Sequence, residues 1–85
     1  MYSLADEHSV ARTDYGVVLL NEATGKFWNL NPSGALVLDA LLGTGTVESA
    51  AEAVMREFAV DSEIATADAA AVLEQLLGAG ILVPA

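Results

Sequence analysis

An asparagine followed by a proline, Asn31-Pro32, divides this sequence into two parts with different hydrophobic periodicity. Proline has a fixed φ and no backbone N–H, so it fits the first turn of a helix, where a preceding asparagine can cap the free N–H groups. Before the pair, apolar residues occur in short runs typical of strands, and after it they recur at helical spacing. The 85 residues are therefore predicted to form a small sheet followed by helices.

The first part predicts two or three antiparallel strands, which cover about residues 9–13, 16–21 and 26–30. The last two strands form a hairpin, because residues 22–25 are turn-forming and end in a glycine. The third strand contains Phe27-Trp28. Adjacent side chains of a strand point to opposite faces, so one ring is expected in the core and the other at the surface or in a groove.

The second part predicts three helices, which cover about residues 32–42, 47–58 and 62–77. Thr46 and Asp61 precede the second and third helices as N-caps, and Gly43 and Gly78 end the first and third. Short strands followed by three short helices indicate an α+β fold of the winged helix-turn-helix type. Residues 8–85 are predicted to form one domain, and residues 1–7 are expected to be an N-terminal tail.

The composition excludes several classes of protein. The sequence has no cysteine, so packing alone must hold the domain, and its 54% hydrophobic content is too high for a disordered chain. Twelve acidic and 3 basic residues give a net charge of −9, which argues against binding to nucleic acid or to an anionic membrane. Without a signal peptide or a membrane-spanning run, a cytoplasmic protein is predicted.

No group of residues predicts catalysis, a cofactor or a metal site. His8 is the only histidine and has no partner at ligand spacing, and the carboxylates are spread along helix faces. Asp61-Ser62 is similar to the attachment site of acyl carrier proteins, but it also fits a simple helix start. We therefore predict a protein that is not an enzyme, and two alternatives stay open: a winged-helix DNA-binding regulator and an acyl or peptidyl carrier-like protein.

An ordered series of short motifs in residues 19–82 resembles the PqqD-like family, whose members are also called RiPP recognition elements. The motifs are Leu19-Leu20-Asn21 with Thr24-Gly25; Phe27 with Leu30-Asn31-Pro32-Ser33-Gly34-Ala35; Leu41-Leu42-Gly43 with Thr46-Val47-Glu48; Phe58-Ala59-Val60-Asp61; and Asp68 with Leu73, Leu76 and Gly80-Ile81-Leu82. The small size of the chain and its Val60-Asp61 pair look most like the versions found with lasso-peptide biosynthesis.

The resemblance implies a protein that binds the leader segment of a ribosomally made precursor peptide and delivers it to a leader protease and an ATP-dependent cyclase. Such a leader can add as a new strand to the free edge of residues 26–30, with the third helix as the other wall of the groove. The candidate leader-binding residues are Lys26, Phe27, Trp28, Asn29, Leu30, Ile64, Asp68, Ala71, Val72 and Gln75. A monomer or weak dimer is expected, because a free edge can also pair with itself.

Overall fold

The computed structural model, which describes all residues from 1 to 85, contains five strands and three helices. In chain order they are β1 (Tyr2–Leu4), β2 (His8–Thr13), β3 (Gly16–Asn21), β4 (Phe27–Leu30), α1 (Pro32–Gly43), α2 (Val47–Glu57), α3 (Ser62–Gly78) and β5 (Leu82–Pro84). Strands β2, β3 and β4 form one antiparallel sheet in that order, and β1 pairs with β5 in a second sheet. The predicted α+β arrangement of an antiparallel sheet followed by three helices is confirmed.

Each helix begins directly after the capping residue that the sequence indicates. The side chains of Asn31, Thr46 and Asp61 each accept a hydrogen bond from the backbone N–H three residues later, at 2.8 to 3.1 Å. These bonds satisfy N–H groups that the first turn of a helix leaves unpaired, so the helix starts are set locally. None of the three helices has both the length and the apolar character needed to cross a membrane.

One face of the three-stranded sheet packs on the helices. In the β3–β4 register Val17 lies opposite Leu30 and Leu19 lies opposite Trp28, so these four side chains share the inner face. The core consists of 13 buried hydrophobic residues, and no polar side chain is buried. The core residues are Val17, Leu19, Val37, Leu38, Leu41, Ala50, Ala51, Val54, Ala65, Ala69, Leu76, Ile81 and Leu82.

The N-terminal segment, predicted to be a tail over residues 1–7, is instead part of the fold. Strand β1 pairs antiparallel with β5, and the Ala5 N–H donates to the Ile81 carbonyl at 2.8 Å. Tyr2 and Leu4 pack against the core. The prediction was wrong because a three-residue strand carries almost no periodic signal, and its partner lies at the far end of the chain.

Deleting residues 2–7 is therefore expected to destabilise the domain. The deletion would leave β5 unpaired and expose Ile81 and Leu82, which are 0% and 1% exposed in the intact chain. We expect the free energy of unfolding to fall by about 2–4 kcal/mol, measured by urea denaturation followed through Trp28 fluorescence. The exposed Asp6 provides the control Asp6→Ala, and a deletion as stable as this control would show that β1 contributes nothing.

An ion pair links the sheet to α1. Two nitrogens of the Arg12 guanidinium donate to the Asp39 carboxylate, at 2.6 and 3.1 Å. The hydrogen bond and the negative charge of Asp39 raise the pKa of Arg12 above its ordinary value, so the guanidinium stays charged at any working pH. The other two basic residues, Lys26 and Arg56, take part in no ion pair.

Candidate functional site

Strand β4 has one side that is not hydrogen-bonded. It pairs with β3 only, and the Lys26 carbonyl just before it accepts a hydrogen bond from β3 at 2.8 Å. Hydrogen bonding alternates along an antiparallel pair, so Trp28 and Leu30 direct their backbone groups to β3. The N–H and C=O groups of Phe27 and Asn29 therefore point to the free edge. These four groups can accept an additional strand.

The side chains of β4 divide between the two faces of the sheet. Trp28 and Leu30 lie on the inner face, where they are half-buried and pack against the core. Phe27 and Asn29 lie on the outer face, and the Phe27 ring is 61% exposed. The aromatic pair is thus split as strand alternation predicts, with Trp28 beside the core and Phe27 at the surface.

A cavity of about 260 Å³ lies between the beginning of α1 and the outer part of α3. Its lining residues are Asn31, Ser33, Val37, Val54, Asp68, Ala71, Val72 and Gln75. Four lining residues come from α3, and Ala71, Val72 and Gln75 follow Asp68 by three, four and seven positions, which places all four on one helical face. Val37 and Val54 are buried and form the floor. The cavity thus has an apolar floor and a partly polar wall.

A second cavity, of about 370 Å³, shares Asn31 with the first. It is lined by Thr13, Tyr15, Val17, Val18, Asn29, Leu30 and Asn31. Tyr15 lies at the β2–β3 turn and is 86% exposed, so its ring stands at the rim of this cavity. The two cavities flank the junction between β4 and α1.

The linings of the two cavities contain one charged residue. Asp68 is the only charged side chain in the lining of either cavity. It takes part in no ion pair, because the one ion pair of the molecule joins Arg12 to Asp39. No three histidine, cysteine, aspartate or glutamate side chains lie close enough together to hold a metal ion.

The sequence model of coenzyme PQQ synthesis protein D, PqqD, matches residues 16–82. This chain belongs to the PqqD family. The resemblance indicated by the sequence motifs is therefore confirmed. No curated protein matches the chain.

Two solved structures resemble this PqqD-family chain over nearly its whole length. Lasso peptide synthetase B1 complexed with the leader peptide is 36% identical, has a TM-score of 0.85 and is matched over 98% of both chains. TbiB1 in complex with the TbiA(beta) leader peptide is 26% identical, has a TM-score of 0.80 and is matched over 96% of this chain and 95% of that one. The similarity is therefore to the lasso-peptide type within the family.

The PqqD-family fold brings the predicted α3 residues to Asn31, which directly follows β4, but the residues of α3 and of β4 line separate cavities. Four of the predicted residues line the first cavity: Asp68, Ala71, Val72 and Gln75. Ile64 is one turn earlier on the same helical face and is 51% exposed, but it lies outside the lining. Of the predicted β4 residues, Asn29 and Leu30 line the second cavity, and Phe27 and Trp28 form the strand beside it. Lys26 is exposed and immediately precedes β4.

Several lining residues were missed by the sequence prediction of the site. Val54 is a buried core residue of α2, and periodicity cannot show that a core side chain also forms a cavity floor. Asn31 was identified only as a cap, and its side-chain oxygen accepts from the Gly34 N–H at 2.8 Å and the Ser33 hydroxyl at 3.0 Å. The sequence signal that could have indicated Asn31 as a site residue is its position as a helix cap directly after the edge strand β4.

Proposed function

We propose that this PqqD-family chain binds the leader segment of a ribosomally made precursor peptide in lasso-peptide biosynthesis and is not itself an enzyme. The observation that carries the proposal is the free edge of β4, which ends at a cavity walled by α3. The two similar solved structures, each a complex with a leader peptide, support it.

The leader would add to β4 as a further strand. The outward N–H and C=O groups of Phe27 and Asn29 would supply four main-chain hydrogen bonds, which depend little on the sequence of the leader. Ordering a flexible peptide costs several kcal/mol, so we expect a dissociation constant in the micromolar to high-nanomolar range. Selectivity must then come from the side chains of the leader.

The first cavity would hold one of those side chains. A closed cavity of about 150 Å³ accommodates benzene, so a cavity of about 260 Å³ has room for an aromatic or branched side chain. Its floor, Val37 and Val54, is apolar, and the small Ala71 leaves space in the wall. A large apolar leader residue is therefore the side chain that fits best.

The bound leader would be delivered to a leader protease and an ATP-dependent cyclase in the cytoplasm. Leader addition at the β4 edge leaves the outer face of the sheet and the surface of α2 open to these enzymes. Because the chain has a net charge of −9, association with a basic partner surface should slow as the salt concentration rises. A monomer, or a weak dimer that forms through the same edge, fits this role.

The two alternative functions have no structural observation in their favour. In a DNA-binding regulator α3 would be the recognition helix, but it carries Glu63, Asp68 and Glu74 and no basic residue, so phosphates would be repelled. In a carrier protein Ser62 would be modified, but it occupies the first turn of α3 behind the Asp61 cap. The acidic residues of α3 and the position of Ser62 behind the Asp61 cap are both explained by helix formation alone.

Titration with a synthetic peptide of the precursor's leader tests the proposal. Binding should change the fluorescence of Trp28, because the added strand lies next to β4, and calorimetry should give a matching dissociation constant.

Two further peptides, with N-methyl groups at alternating positions, test the strand geometry. One should lose binding by about tenfold or more and its counterpart should retain it, because only alternate leader N–H groups face β4. Absence of binding would contradict the proposed function, and equal affinity of both methylated peptides would contradict strand addition.

A further inference from the structure

The proposed leader path has opposite charges at its two ends. Lys26 directly precedes β4, and Asp68 lines the cavity at Asn31, which directly follows β4. The backbone from residue 26 to residue 31 spans about 17 Å at strand geometry. The two charges therefore lie about five residues apart along the edge.

Both charges are available to a bound peptide. The Lys26 carbonyl is hydrogen-bonded to β3, so the alternation of β4 extends back to this residue. Lys26 is then on the same face of the sheet as Trp28 and Leu30, the face that packs against α1. The Lys26 ammonium and the Asp68 carboxylate have no partner in an ion pair. A peptide lying on the edge would thus meet an unpaired cation at one end and an unpaired anion at the other.

We infer that the leader segment carries a basic side chain where it passes Asp68 and an acidic side chain about four or six residues away, where it passes Lys26, because side chains on one face of a strand are an even number of residues apart. This inference rests on the proposed function and defines the class of peptide that the site selects. The remaining lining residues of the first cavity are neutral, so these two charges alone select the order of charges along the leader. A peptide with the reversed order would place like charges together, which disfavours binding.

Charge reversal at each end tests the inference. Asp68→Lys and Lys26→Glu should each lower the affinity for the synthetic leader about five-fold to ten-fold, measured by calorimetry at low salt. Glu63→Lys and Arg56→Glu change the net charge by the same amounts at residues outside both cavities. These controls should stay within about two-fold of the unmodified chain.

A leader peptide with exchanged charges distinguishes a direct charge interaction from a structural effect of the substitutions. The double variant, Asp68→Lys with Lys26→Glu, should bind a leader with its basic and acidic residues exchanged more tightly than the native leader. The unmodified chain should show the opposite preference. A native leader that lacks this charge pair, unchanged affinity in both single variants, or loss of affinity without rescue would overturn the inference. In each of these cases the unmodified chain still binds its leader, whereas failure of the proposed function would appear as no binding at all.

Discussion

Replacing Val72 with glutamate is expected to weaken leader binding about 100-fold or more while the domain stays folded. Val72 lines the cavity between α1 and α3, close to the Asp68 carboxylate on the same helical face. The glutamate would place a second negative charge in the cavity that we propose for a large apolar side chain of the leader. Calorimetric titration with the synthetic leader measures the loss, and circular dichroism checks the helices.

The neighbouring residues of α3 provide the controls for this prediction. Ala70→Glu adds the same charge on an exposed face outside the cavity and should leave the affinity within about two-fold of the original. Since Val72 also contacts the core, Ala71→Trp is a second test: Ala71 is exposed, and the indole should fill the cavity without disturbing the core. If Val72→Glu and Ala71→Trp both bound the leader normally, α3 would not be a wall of the site.

Replacing Gly16 with alanine is expected to lower the free energy of unfolding by about 3 kcal/mol or more, and the melting temperature by about 12 °C or more. Gly16 has a φ of +134°, a conformation that side chains strongly disfavour, and a Cβ atom built on it would lie 1.9 Å from the Leu30 carbonyl oxygen. The β2–β3 hairpin therefore approaches the end of β4 so closely at position 16 that only glycine fits there. A domain of this size has a total stability of only about 4–13 kcal/mol, so the loss should be large.

Gly43→Ala is the matched control for the Gly16 substitution. Gly43 is in the last turn of α1, and a Cβ atom there would meet nothing within 4 Å. Alanine favours the helix, so this variant should be neutral or more stable by about 0.5–1 kcal/mol. Thermal and urea denaturation compare the two variants. Equal stability of both would show that the close approach at Gly16 is not required.

The parts of the fold that depend on local interactions could be predicted from the sequence. The caps Asn31, Thr46 and Asp61 each act on an N–H three residues away, so their effect is visible in a short window. The β1–β5 pairing could not be predicted in this way. Each of these strands has three residues, and Ser3 pairs with Val83 across almost the whole chain. Pairing at that separation depends on the packing of everything between.

In the candidate site, too, the features that depend on distant parts of the chain could not be predicted from the sequence. The α3 face could be identified because Asp68, Val72 and Gln75 follow helical spacing. The cavity floor could not, because Val37 and Val54 meet only after α1 and α2 have packed together. The positions of Lys26 and Asp68 near opposite ends of β4 likewise depend on the packing of α3 beside Asn31. Sequence periodicity identifies helical faces, but it does not show which faces enclose a cavity.

In the proposed complex, the short length of β4 limits how long a leader peptide stays bound. Only Phe27 and Asn29 offer backbone groups to a new strand, so one or two side-chain contacts must supply the rest of the binding energy. With a dissociation constant near 1 μM and ordinary association rates, the residence time of a bound leader is about 0.1 to 10 s. Each precursor would then dissociate within seconds, and a few copies of this chain could bind many precursors in succession.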